Sequence, residues 1–107
     1  MFVEESLKIR TQQKFLQDVE QSIQDANRAV IHQRIPRLDK ARFVHFATRV
    51  AELRAEYLEA GLALADGGGD FSLDALKLRR EAYEEGRDAF AALERAIERG
   101  YVDIDES

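Results

Sequence analysis

Only two places in this 107-residue chain interrupt it strongly enough to stop a helix. One is Arg34-Ile35-Pro36-Arg37-Leu38-Asp39, where the single proline pushes Ile35 out of the helical region and can itself stand in the first turn of the next helix. The other is Asp66-Gly67-Gly68-Gly69-Asp70. Three adjacent glycines lose too much backbone entropy to lie inside a helix, and Gly67 suits the left-handed position just past a helix end. The breaks predict helices over about 8–34, 37–65 and 73–99, followed by an acidic tail, 101–107. Ser72 is placed to cap the third helix, with Asp74 at its positive end, Phe71 and Leu76 as a hydrophobic staple, and Gly100 as its C-terminal glycine. Residues 1–10 can be a lead-in, since Leu7 points away from the stripe of the first segment.

The segments differ in how much of their circumference is apolar. In the first, Ile9, Leu16, Val19, Ile23, Ala26 and Val30 form a stripe of roughly 120°, with Phe15 on its edge and Gln12 interrupting it, as in a peripheral helix. The third has a wider arc through Leu76, Tyr83, Gly86, Phe90, Leu93 and Ile97. The second is apolar over about 200°. Its positions 43, 46, 50, 53, 57, 60 and 64 step by three and four, the seam of left-handed helix packing. Short connections make neighbouring helices antiparallel. The expected fold is therefore all-α, an elongated up-down-up three-helix bundle in one domain, with the segment 37–65 central. Its excess apolar surface is covered either by loops and termini or by a second chain, and a homodimer or a helical protein partner is expected. Folding the second and third segments about the glycine turn sets Gly86 opposite Ala51, a pair small enough for a close crossing.

Charge and composition limit function. With 45% apolar and 35% charged residues the chain is a folded domain, and with no cysteine it has no disulfide, thiolate metal site or cysteine nucleophile. The longest uncharged runs are six residues, too short to span a bilayer, and Glu4 and Glu5 break any leader-like apolar stretch, so a cytoplasmic location is expected. Residues 28–54 carry Arg28, Arg34, Arg37, Lys40, Arg42, Arg49 and Arg54 against Asp39 and Glu52, a net of +5, while the rest of the chain carries −10. That basic turn, with Arg34, Arg37, Lys40, Arg42 and Arg54 as its candidate contacts, suits an acidic partner surface, a second copy, a phosphate-containing ligand or nucleic acid. Against nucleic acid stand the −5 net charge and the want of interleaved aromatics.

Arg54 is the oddest placement, a charge in the middle of an apolar arc. Helix levels put Glu20, Tyr83 or Glu84 beside it, which suits an interhelical ion pair that sets register; a side chain reaching solvent along its stem or pairing with a second chain fits the placement equally. His32 and His45 fall on polar faces, with neither the spacing of a metal pair nor the neighbours of a phosphotransfer histidine, so no metal and no cofactor is expected. The glycine run lacks the Lys-Ser or Lys-Thr of a phosphate loop, and no Gly-x-Ser-x-Gly elbow is present. Glu81, Glu84, Glu85 and Asp88 alternate with Lys77, Arg80 and Arg87 as ordinary helix-surface charge. The residues point to a non-catalytic helical interaction or adaptor module that self-associates. The alternating tail Tyr101-Val102-Asp103-Ile104-Asp105 can extend from the fold, add to a partner as a strand or dock on its own chain.

Overall fold

A computed structural model describes residues 2–67 and 72–105. The order is α1 (Phe2–Arg34), β1 (Leu38–Asp39), α2 (Lys40–Ala65), α3 (Leu73–Glu98) and β2 (Ile104–Asp105). The protein is all-α apart from the two-residue strand pair. No helix of the described residues is long and apolar enough to cross a membrane.

Local chemistry sets most of the helix ends. Asp39 Oδ1 accepts from the Arg42 N–H at 2.7 Å and Ser72 Oγ from the Ala75 N–H at 3.1 Å, so each satisfies an orphan donor in a first turn. Gly67 and Gly100 have φ of +74° and +75°. At the end of α3 the Gly100 N–H donates to Ile97 O and the Tyr101 N–H to Ala96 O, the paired bonds of a Schellman cap. The expected Phe71 staple lies outside the described residues. α2 begins at Lys40 rather than at 37, because Asp39 caps it and Leu38–Asp39 are extended.

That extension has a partner. β1 and β2 run parallel, with Leu38 opposite Ile104 and Asp39 opposite Asp105, and the Leu38 N–H donates to Asp103 O at 3.0 Å. The tail therefore docks on its own chain. Leu38 and Val102 are each only 5% exposed and form a small apolar knot at this end.

From the knot, α2 and α3 pack along each other. The Phe90 ring lies 4.9 Å from Phe43 and meets Phe46 edge-on at 5.4 Å, Tyr57 stacks on Tyr83 at 6.2 Å, and Ala60 is buried. A Cβ on Gly86 would stand 3.1 Å from Leu53 Cδ1 and 3.6 Å from Val50 Cγ2. The small residue is thus received between Val50 and Leu53, whereas Ala51, placed opposite it by the sequence reading, faces solvent. The contact seam of α2 is turned that far from Ala51 because Phe43, Phe46, Val50, Leu53 and Tyr57 face α3 together.

The three helices do not close into an up-down-up bundle within one chain. α2 and α3 pair, but α1 has no buried residue and does not lie along either of them. The reason is the strand pair. Residues after Pro36 are committed to the tail, and the tail in turn holds the last turns of α1, where Arg28 donates to Gly100 O at 2.9 Å and pairs with Asp103 at 3.1 Å. α1 is fixed at its C-terminal end and stands away from the hairpin. The radius of gyration is 22.5 Å, against about 13 Å for a compact chain of this length.

Candidate interaction surface

α1 is a continuous helix of 33 residues, about 50 Å long at 1.5 Å per residue. Glu4 and Glu5 in its first turn and His32 and Arg34 in its last complement the helix dipole. It includes the residues expected as a lead-in, because nothing between Phe2 and Arg34 breaks a helix. Its stripe is bare. Phe2 is 87% exposed, and Ile9, Phe15, Leu16, Ile23 and Val30 are each more than half exposed. Exposed apolar side chains also continue along α2 at Val44, Leu58 and Leu62, the part of its wide arc that α3 leaves uncovered. The whole chain exposes 8825 Å², about 2,800 Å² more than the ~6,000 Å² of a compact monomer of its mass.

The start of α1 at Phe2 brings out a further signal in the sequence. Phe2, Ile9, Leu16, Ile23 and Val30 stand at every seventh position, the period of a coiled-coil seam, and only a helix that starts at Phe2 shows all five.

The basic turn is largely occupied from within. Arg28 and His32 converge on Asp103, the latter through Nδ1 at 3.3 Å, and Arg37 reaches Asp105 at 3.7 Å. Arg49 pairs with Glu52 at 3.0 Å. Among the described residues, the side chains of Arg34, Lys40 and Arg42 make no ion pair, and all three are exposed. The structure thus divides the candidate contacts: Arg37 and Arg54 hold parts of their own chain, and Arg34, Lys40 and Arg42 are open to solvent. Asp103 and Asp105 of the acidic tail thus supply counter-charge to Arg28, His32 and Arg37 of the net-basic segment 28–54.

Arg54 meets Tyr83. Its Nε and Nη2 both donate to the phenol oxygen, at 3.0 and 2.6 Å, and Arg87 stands 5.5 Å from the centroid of the same ring. Glu20, on the detached α1, and Glu84 take no part. The hydrogen bonds from Arg54 lower the Tyr83 pKa; burial opposes them, and the charge of Arg54 and the nearby Arg87 add to the lowering. Because folding depresses this pKa, the contact adds stability above the phenol's unfolded value, and that contribution is lost as pH falls through the folded value. Arg54→Met is expected to move the Tyr83 titration upward, read from tyrosinate absorbance. An unchanged titration would show that the bond is not made in solution.

A recess of about 710 Å³ lies beside the strand pair between Leu38, Phe43, Ile97 and Ile104 and is rimmed by Asp39, Lys40, Glu94, Glu98 and Asp105. Its walls are apolar, and no side-chain pair there has the geometry of a nucleophile and its base. His45 lines a separate recess of about 380 Å³ with Arg42 and Arg49. Among the described residues no three His, Asp or Glu side chains converge as a metal site. No protein-family model matches the chain, and neither a curated protein nor a solved structure shows significant similarity to it.

Proposed function

We propose that this protein is a non-catalytic helical assembly module that self-associates, with α1 as the associating element and the α2–α3 hairpin as the body that carries it. The observation that carries this reading is a 33-residue helix with an apolar stripe and no buried residue. Most of the stability of a helix in a protein comes from packing its apolar face rather than from propensity. The uncovered area supports a large interface. Standard interfaces take about 800 Å² from each partner, and the surplus exposed here is about 2,800 Å². Helix-to-helix packing between chains then supplies what the bundle lacks within one.

The charge distribution supports a partner of the same kind. Net charge of −5 is spread over an acidic chain with basic residues concentrated in 28–54, so the open Arg34, Lys40 and Arg42 have complementary carboxylates on a second copy. The test is the solution mass of the full chain by native mass spectrometry and sedimentation across a concentration series. A multiple of 12.2 kDa is the expected result. A bare monomer throughout the series would reject self-association.

A further inference from the structure

We propose that α1 pairs with α1 of a second copy of this chain as a parallel, in-register, two-stranded coiled coil. This rests on the self-association reading through α1 and adds what α1 pairs with, in which direction and in which register.

The repeat defines the layers. Phe2, Ile9, Leu16, Ile23 and Val30 occupy the first core position of successive heptads, and Glu5, Gln12, Val19, Ala26 and Gln33 the second. In a parallel, in-register pair each residue meets its own copy. Five layers are then wholly apolar, Val19 and Ala26 add two more, and Gln12 and Gln33 face their counterparts, amide donor to amide acceptor. Glu5 makes the single layer of like charge, in the first turn.

An antiparallel pair sets first-position residues against second-position ones. Centred on Leu16 opposite Val19, it places Ile23 against Gln12, Val30 against Glu5 and Phe2 against Gln33. Three apolar side chains would then cover polar groups that have no matching partner.

The surface of α1 also carries a receptor for such a knob. Phe15, Asp18, Val19, Ser22, Ile23 and Ala26 line an indentation that includes Val19, Ser22, Ile23 and Ala26, with the small Ser22 and Ala26 among them. Those four positions form the hole that receives a first-position knob from a parallel partner, here Ile23 of the second copy. The surplus exposed area is more than such a pair requires from each chain.

The chain has no cysteine, so one introduced thiol reports on one position. Ile9→Cys and Val30→Cys are made separately in the full chain, checked for association while reduced, then oxidised mildly. Parallel register predicts that each closes a disulfide with its own copy in most of the protein. In the antiparallel pair the two copies of residue 9 stand about 25 Å apart, far beyond the ~7 Å Cα separation a disulfide tolerates. There Ile9→Cys would cross-link only when mixed with Ala26→Cys. That pattern, or failure of either variant to cross-link to itself while the reduced protein remains a dimer, overturns the parallel register and leaves self-association standing. A reduced protein that is monomeric at all concentrations overturns both.

Discussion

Replacing Leu16 and Ile23 together by glutamate is expected to turn the assembled protein into a monomer. Both side chains are more than half exposed in the single chain and sit at the centre of the stripe. Burial of each in an interface stabilises by about 1.5–3 kcal/mol. Leu16 is 64% and Ile23 54% exposed, so burying what remains of four such side chains per dimer amounts to about 3.5–7 kcal/mol, a rise in Kd of at least about 300-fold. Sedimentation equilibrium measures the change directly. Circular dichroism should fall only by the share of α1, because a helix without its partner is marginal while α2 and α3 keep theirs. Leu7→Glu is the control. Leu7 is 55% exposed, but it lies on the opposite side of α1 from the seam, and its replacement should leave the mass unchanged. If the double variant assembles like the parent, α1 is not the interface.

Elements governed by neighbouring residues were legible in the sequence. Ser72 begins α3 and Gly100 ends it through bonds between residues three to five apart, so residue type and position suffice to place them. The level of Arg54 was legible for a related reason. A hairpin of two helices about a short turn pairs residues at equal distance from that turn, which put Tyr83 among its possible neighbours, and the structure joins them. The same arithmetic missed Ala51 by the rotation of α2 about its axis, which only the packed rings of Phe43, Phe46 and Phe90 determine.

What was not legible depends on contacts distant in sequence. β1 and β2 are two residues each, too short to leave a periodic pattern, and they meet across 66 residues. Their pairing displaced the start of α2 to Lys40 and used Asp103 to hold Arg28, which together carried α1 away from the hairpin. An apolar stripe states that a face is to be covered and is silent about which chain covers it. The candidate cations were nameable by type, but their division into those that bond their own chain and those left open followed from where Asp103 and Asp105 came to rest.

The hairpin has its own weakest point at Phe90. Its ring touches Phe43 face to tilted face and Phe46 at the edge, so Phe90→Ala removes two aromatic contacts and leaves a void between the helices. Full burial would make the loss about 3–5 kcal/mol; for a half-buried ring it is about 2–4 kcal/mol. Folded domains hold only about 5–15 kcal/mol in reserve. Among the described residues only Leu38, Ala60, Tyr83 and Val102 are buried in the single chain, so the reserve here lies toward the low end unless association adds to it. The variant should melt about 10–20 °C below the parent. Both should melt higher as protein concentration rises, because association draws on the folded state. The Leu16 and Ile23 double variant should lose that concentration dependence while keeping the Phe90 contacts, so comparing the three melts separates the core of the hairpin from the interface. A Phe90→Ala melt that matched the parent at every concentration would mean that the aromatic cluster contributes little and that interchain packing supplies nearly all of the stability.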